Sequence, residues 1–538
     1  MIKTLHGYLA RDLAKVTALA LAAFTLLMTI FAIMEPLRKE GLGASQALLL
    51  AAYTVPIMLS LTLPVAALFA AAIVYGRFSQ DNELMACRAS GISTLTLLKP
   101  ALALGGVVTI ISMLLSGLVT PRMAELVETS VKANVRTIAY RQLRTRPYAD
   151  YGQYVIHADA VDEDQDVIYG LVVAKTKPRD DVALVVAPRA LVKFTEQDGA
   201  TFVTFYLQDV ALARTSEYTI VEAASHPPIT QEIPSLAKEE PSWYTWNELL
   251  AMLENPLRNS RIRRYLREEV VQKLCGDLLM RRIAAAIRRD EPYAGLRDAQ
   301  YAYEIRAGEI RPLSDGAVTL GGAPNQPVEI TIYRAGEDTP YQQVSAGEAR
   351  VVTARSELSR DWYVTLEALE DVTVLPLTES RVVPQRRTSW TVGQLPLPGD
   401  VVAEARAIPL MEILRDPSSV TDDAKIIDDI DRLKHRSIRR LISRIKAEMH
   451  MRAAYSLSCL LMVALGAALG LIFRGGQVVS AFAITVVPAS LVIVMMLMGK
   501  QMVTNPDVSA YWGLVTIWAG ILLLAAGDVG VYLYLRCL

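Results

Sequence analysis

Six uncharged runs, three near each end of the chain, constrain this sequence more than any other feature. They lie between Lys15 and Glu35, Glu40 and Arg77, Lys99 and Arg122, Arg452 and Arg474, Arg474 and Lys500, and Asp507 and Asp528. A hydrocarbon core about 30 Å thick takes about 20 apolar residues of helix to cross, and these runs are long enough. Buried core helices of a soluble protein would not fall into two tight clusters, so the runs are read as six membrane spans arranged 3+3. Between the clusters, roughly 330 residues read as an ordinary charged, water-soluble domain with no span of its own. The first run is too long for a signal-peptide core, and no small-residue cleavage site follows it before Glu35. It is expected to stay as a span.

Positive residues favour the cytoplasmic side of a membrane. If the spans alternate, Lys3, Arg11 and Lys15, then Arg77, Arg88 and Lys99, then Arg474 and Arg536 share one side. Arg38, Lys39 and Lys500 fall on the other. The bias places both termini inside and the large domain outside. Arg439, Arg440, Arg444, Lys446 and Arg452 crowd the outer entry to span four against that bias; long translocated domains obey the charge rule weakly. Residues 1–15 carry Leu5, Leu9 and Leu13 at helical spacing and read as an amphipathic interfacial helix. Pro56 and Pro64 in the second run predict a kinked or tilted helix with an interfacial lead-in.

The soluble block opens with strand-like stretches at 154–156, 168–174, 183–186 and 202–207, separated by Asp, Gly and Pro turns. A basic helical stretch follows from about Trp246 to Arg289. Strands return at 328–333, 349–352 and 362–366, and a second basic helical stretch leads from about Asp422 into span four. The order suggests an internal duplication. Val185-Val186-Ala187-Pro188-Arg189 is similar to Val351-Val352-Thr353-Ala354-Arg355, Leu207-Gln208-Asp209-Val210 to Leu369-Glu370-Asp371-Val372, and Glu248-Leu249-Leu250 with Asn255-Pro256 to Glu412-Ile413-Leu414 with Asp416-Pro417. The domains expected are 1–135 (interfacial helix, spans one to three and a cytoplasmic helix), 136–290 and 291–450 (two β segments, each with its basic helix), and 451–538 (spans four to six).

Several chemistries are excluded. Of four cysteines, Cys275 is alone in the soluble block, while Cys87 lies in a loop and Cys459 and Cys537 within or at the end of spans. That distribution supports neither a disulfide framework nor a zinc site, and no other metal or cofactor is expected. A net charge of −1 gives no reason to expect a nucleic-acid partner. Neither His-Glu-x-x-His, Gly-x-Ser-x-Gly nor a Walker A loop occurs. Asp162, Asp164 and Asp166 begin with calcium-loop spacing, but Val167 stands where Gly is needed and Val173 where the closing Glu belongs. A solvated strand turn is the reading preferred. Asp528, flanked by Gly527 and Gly530, is the one acid clearly inside a span; it reads as snorkelling to the cytoplasmic interface.

The segment between spans two and three is Tyr75-Gly76-Arg77-Phe78-Ser79-Gln80-Asp81-Asn82-Glu83-Leu84-Met85-Ala86-Cys87-Arg88-Ala89-Ser90-Gly91-Ile92-Ser93. It predicts a short helix with built-in ends. Ser79 or Asp81 can cap its start, Asp81 and Glu83 suit the positive end of its dipole, Arg88 suits the negative end, and Gly91 can take the left-handed terminating conformation. Such a helix, pinned between two spans, can transmit force from a docked soluble partner.

Through Gly76, Arg77, Ser79, Asp81, Glu83, Leu84, Arg88, Ala89, Gly91 and Ser93 this segment resembles that of the LptF/LptG family of lipopolysaccharide-export permeases. The resemblance covers the first 135 residues, including Pro56, Pro64 and Pro121-Arg122, and resumes at Met451-Arg452. It implies a polytopic α-helical membrane protein, six spans arranged 3+3, with an extracytoplasmic β-jellyroll-like domain, here duplicated where typical members have one. It further implies a permease subunit of an ATP-driven exporter in the bacterial inner membrane, without its own ATPase site. Implied partners are a cytoplasmic ABC ATPase dimer, a second permease subunit that is a homologue or paralogue, a periplasmic jellyroll bridge protein and a glycolipid substrate. Ser79, Asp81, Glu83, Arg88 and Gly91 become expected ATPase-coupling residues. Arg38, Lys39 and Lys500 become expected substrate-gate residues, since cations at the outer surface can pair with lipid phosphates; the alternative for Arg38 and Lys39 is interfacial anchoring. Two other classes stay open at this point: a non-transporting scaffold or receptor, and an intramembrane enzyme acting on lipid.

Overall fold

The computed structural model describes residues 2–537 apart from 41–43, 134–135, 137–138, 141–142, 145–147, 152–153, 176–181, 198–199, 215–218, 226–227, 234–239, 314–316, 323–326, 356–361, 378–383, 473–477 and 506–507. Among these residues six helices are long and apolar enough to cross a membrane: Lys3–Met34, Leu48–Gln80, Thr94–Val127, Ala424–Ile472, Thr485–Thr504 and Ala510–Arg536. Arg474, expected in the turn between spans four and five, lies outside the described residues.

The first span belongs to helix α1 (Ile2–Glu40), which runs without a break from the N-terminal segment. Leu9 and Leu13 are buried against α2 and α4 rather than turned towards lipid, so the expected interfacial helix is an in-chain packing element. Helix α2 (Ala44–Gln80) continues through Pro56 and Pro64. Hydroxyls around the prolines donate to nearby carbonyls, Thr54 to Leu50, Ser60 to Ile57 and Thr62 to Met58, which limits exposed backbone polarity in lipid. Then come α3 (Glu83–Ala89), α4 (Thr94–Leu114), a π-turn (Leu115–Val119) and α5 (Thr120–Ala133). A Cβ on Gly117 would stand 2.4 Å from the Trp246 ring, so the π-turn and its glycine make the seat for that indole.

The outer domain has two antiparallel sheets, each a jellyroll-like half-barrel. The first has strands β1 (Tyr148–Tyr151), β2 (Tyr154–His157), β3 (Ala160–Asp162), β4 (Val167–Lys175), β5 (Val182–Gln197), β6 (Ala200–Arg214), β7 (Thr219–Ser225) and β8 (Ile229–Ile233). Their order is β1-β2-β4-β5-β6-β7, with β3 on β4 and β8 on β6. Alternate residues such as Val185, Ala187, Phe205 and Leu207 face one core, which Tyr140 and Leu143 join.

Helices α6 (Trp246–Glu254), α7 (Ser260–Tyr265) and α8 (Val271–Arg288) lead to the second sheet. Its strands are β9 (Tyr293–Arg297), β10 (Tyr301–Arg306), β11 (Glu309–Leu313), β12 (Ala317–Gly321), β13 (Val328–Arg334), β14 (Pro340–Ala346), β15 (Glu348–Arg355), β16 (Trp362–Pro376) and β17 (Gln385–Pro396). The order is β11-β12-β15-β16-β14-β13-β10-β9, with β17 on β16. Its core is closed by α8, α9 (Gly399–Ala407), α10 (Leu410–Arg415) and α11 (Ala424–Arg432). Ion pairs Lys273–Asp429, Arg282–Asp400, Arg282–Glu404 and Arg355–Glu269 tie α8 and the π-turn before it to their neighbours.

The duplication is written most clearly in the helical tails. After the first sheet come α6, a 3-10 turn at Pro256–Arg258, α7, a π-turn at Leu266–Val270 and α8. After the second come α10, a 3-10 turn at Pro417–Ser419, α11, a π-turn at Leu433–Ile438 and α12 (Arg439–Ile472). Asn255 and Asp416, each before a proline, have nearly the same backbone, with φ −135° and −139°. Asp209 and Asp371 both take positive φ, 55° and 50°. One sequence match is out of register. If Asp209 corresponds to Asp371, then Leu366, the partner of Val351, corresponds to Thr204, whose partner is Lys193 rather than a residue of 185–189.

Spans five and six, α13 (Val478–Thr504) and α14 (Ala510–Cys537), pack on α12. Glycines set the closest approaches, as expected where lipid supplies no hydrophobic drive between helices. A Cβ at Gly466 would sit 2.9 Å from the Leu68 carbonyl oxygen, and one at Gly470 2.9 Å from that of Ala72.

This arrangement gives a direct test of sidedness. Gln300 is exposed in the β9–β10 turn, whereas Cys275 is buried. Gln300→Cys is expected to react with a membrane-impermeant maleimide in intact spheroplasts, while native Cys87 does not. The reverse labelling pattern overturns the orientation.

Candidate functional site

The short helix α3 is clamped at every point except one face. Leu84 is buried in the membrane-domain core with Phe78, Leu9 and Leu13. At its end Gly91 has φ +77°, Gly91 N–H donates to Arg88 O at 2.9 Å and Ile92 N–H to Cys87 O at 3.0 Å. These bonds form the paired Schellman closure that a left-handed glycine permits. Ser93 then caps α4, its hydroxyl accepting from Thr96 N–H at 3.3 Å. The His6 ring lies 3.0 Å from Thr96 O, and Tyr75 donates to Leu97 O at 2.8 Å, so α1 and α2 both fasten to the start of α4.

The start of α3 differs from the sequence expectation. Asn82 occupies the N-cap with φ 60° and provides no side-chain cap. Ser79 is buried and donates instead to Leu471 O at 3.1 Å, bonding the end of span two to the end of span four. Asp81 is exposed and does not cap. Glu83 in the first turn and Arg88 in the last fit the helix dipole as expected. The open face carries Asn82, Met85, Ala86 and Ala89, spaced for one side of a helix. Met85 is 49% exposed, although it stands among apolar neighbours. Sequence reasoning singled out the polar residues and passed over Met85, whose signal is an unbranched apolar side chain on the outward stripe.

On the opposite side of the membrane the structure gathers Lys500 into a charge cluster. Glu448 accepts from Lys500 Nζ at 2.7 Å and from Arg452 Nε at 3.0 Å. The Arg452 guanidinium also donates to the carbonyls of Tyr244 (2.9 Å), Ser242 (2.9 Å) and Pro241 (3.3 Å). Glu448 and Arg452 are only 6% and 4% exposed. Two ion pairs sharing Glu448 therefore join span four to span five, and the Arg452 guanidinium carries the link on to the segment leaving the first sheet. Lys500 is committed to this cluster. The Arg38 and Lys39 side chains lie outside the described residues, though their backbone is helical in α1.

Asp528 does not snorkel. It is 6% exposed, and among the described residues neither carboxylate oxygen has a hydrogen-bond partner, nor does the Tyr532 hydroxyl one turn on. About eight residues of helix, roughly 12 Å, separate it from Arg536 at the end of the span. The Asp162 turn behaves as a solvated turn: Asp162 accepts from the N–H groups of Asp164 and Gln165, and Asp166 pairs with Arg136 at 2.8 Å. Among the described residues no group of three or more His, Cys, Asp or Glu side chains is arranged to hold a metal ion.

Comparison with known proteins adds one match. The model of the family described as lipopolysaccharide export system permease LptF/LptG matches residues 7–275 and 320–536. The unmatched stretch, 276–319, runs from α8 into the first strands of the second sheet. A search of the curated proteins returns no match.

Proposed function

The chain belongs to the LptF/LptG family of lipopolysaccharide export permeases, and from that premise we propose how its parts divide the work. It is a multi-pass inner-membrane protein with a large periplasmic domain, the permease subunit of an ATP-driven exporter of lipopolysaccharide, and not itself an enzyme. ATP hydrolysis then belongs to a partner. In our reading two copies of a cytoplasmic ABC ATPase serve this subunit and a second permease subunit, with one ATPase copy docking on the open face of α3. Met85, Ala86 and Ala89 supply the apolar contact and Glu83 and Arg88 the flanking charges. Force passes through Leu84 into the core, through the Gly91 closure into α4, and through Ser79 into span four.

Lipopolysaccharide leaves the outer leaflet through a gap between the two permease subunits. Arg38 and Lys39 at the outer end of α1 meet its phosphates by charge-assisted hydrogen bonds. Lys500 steadies span five through Glu448. The first half-barrel takes the acyl chains and hands them to a periplasmic jellyroll bridge protein.

The observation that carries this reading is a short helix fixed at both ends yet presenting an unpartnered methionine to the cytoplasm. Glu83→Lys reverses a charge beside that face. A Cβ at Gly91 meets no atom within 4 Å, so the main cost of Gly91→Val is backbone strain, about 1–2 kcal/mol or somewhat more for a β-branched residue at positive φ. Both variants are expected to insert normally and to lose most ATPase co-purification and transport. Normal ATPase recovery with full export in both would remove the coupling role from α3.

A further inference from the structure

A cavity of about 710 Å³ lies where the top of span four meets the connection between spans five and six. One wall is Arg436, Arg439, Arg440 and Ser443, at the i, i+3, i+4, i+7 spacing of one helix face. The other is formed by Thr504, Asn505, Ser509 and Tyr511. We propose that this cavity binds the phosphorylated saccharide headgroup of a membrane glycolipid, a site separate from the lateral gate at Arg38 and Lys39. The proposal rests on the permease reading above and adds a headgroup site to it.

The first support is charge. Some neighbouring cations are neutralised within the chain, Arg432 by Asp428, Lys434 by Asp431 and Arg452 by Glu448, while Arg444 and Lys446 make no ion pair with a described residue but do not line the cavity. Arg436, Arg439 and Arg440 have no hydrogen bond or ion pair with any described residue, and no described acid lines the cavity. Asp507 lies outside the described residues. Three adjacent guanidinium groups on one face repel one another unless an anion sits between them, and their planar forks match phosphate oxygens. Ser443, Thr504, Ser509 and Tyr511 add hydroxyls suited to a sugar.

The second support is height. Tyr511 and Trp512 are well exposed at the outer end of span six, the placement of an interfacial aromatic belt. Arg440 stands about 18 Å along the helix axis beyond Arg452. A glycerophospholipid keeps its phosphate close to the hydrocarbon boundary, whereas phosphates carried on an oligosaccharide reach further out. The size fits as well, since about 300–1,000 Å³ is the usual range for a small-ligand pocket.

The test uses the whole exporter in nanodiscs, with labelled rough-type lipopolysaccharide, the same material stripped of phosphate, and inorganic phosphate as competitor. The triple variant Arg436→Gln/Arg439→Gln/Arg440→Gln is expected to bind phosphorylated probe at least tenfold more weakly, with the difference shrinking as salt rises. Stripped probe should bind wild type and variant alike, the triple Lys variant should recover part of the loss, and millimolar inorganic phosphate should not displace the lipid. Equal binding of phosphorylated probe by wild type and variant overturns the site. So does displacement by inorganic phosphate, which marks a free-anion site, and so does loss of a co-purifying periplasmic protein at unchanged glycolipid affinity, which marks a protein interface. A wild-type complex that neither binds nor releases lipopolysaccharide overturns the permease reading instead, so the two failures are distinguishable.

Discussion

Arg452→Leu is expected to destabilise the protein by about 3–5 kcal/mol, the range for removing one partner of a buried ion pair. The guanidinium is 4% exposed and makes four hydrogen bonds, one to Glu448 and three to the carbonyls of Pro241, Ser242 and Tyr244. Its loss strands those carbonyls and leaves a carboxylate that is 6% exposed with Lys500 alone. The consequence reaches beyond stability. The polar bonds of this residue and its Glu448 partner add to the apolar packing that fastens span five and the segment leaving the first half-barrel to span four. A lower unfolding midpoint, followed by fluorescence of the nearby Trp243 and Trp246, should accompany faster proteolysis at Pro241–Tyr244. Arg452→Lys keeps the charge but not the fork, and should recover less than half of the loss. An unchanged midpoint and unchanged cleavage in Arg452→Leu would show that the cluster is dispensable.

Why Arg452 was legible only as a charge at the entry to a span follows from where its partners lie. Tyr244 and Pro241 are more than 200 residues upstream, and no local pattern connects a basic residue to carbonyls that far away. Ser79 misled for the same reason: its preference for capping is local, but its partner Leu471 is 392 residues distant and the tertiary bond prevails. Gly91 was readable because the requirement for positive φ belongs to the backbone at that position alone. The spans were readable because crossing lipid demands length and apolarity before any packing is chosen.

The outer domain shows the same division. Asn255-Pro256 and Asp416-Pro417 impose one backbone shape, so their correspondence survives in the structure. The Val185 and Val351 stretches are alternating apolar strands, which resemble one another at many shifts and cannot fix their own register. Asp528 carries no sequence signal that separates an exposed carboxylate from a buried one; the packing of α14 decides it.

Gly513→Val is expected to separate spans five and six. A Cβ on Gly513 would stand 2.6 Å from the Gly499 carbonyl oxygen, 2.5 Å from Val503 Cγ2 and 2.7 Å from Val503 N, and one on Gly499 would stand 2.7 Å from the Gly513 oxygen. Most of these neighbours are backbone atoms with no rotamer to offer, so the helices themselves must move. Overpacking in a core typically costs about 1–3 kcal/mol, and a backbone-to-backbone clash belongs at or above the top of that range. The shift carries further, because Lys500 follows Gly499 directly and Val503 lines the arginine cavity. Displacing α13 should pull Lys500 from Glu448 and deform the headgroup site in one movement. Gly527→Val is the matched control: it lies in the same helix, and its Cβ meets nothing within 4 Å. The expected outcome is a large loss of folded, export-competent protein for Gly513→Val and little change for Gly527→Val, measured by size-exclusion recovery and ATP-driven lipopolysaccharide release. Equal behaviour of the two variants would show that spans five and six do not depend on this glycine contact.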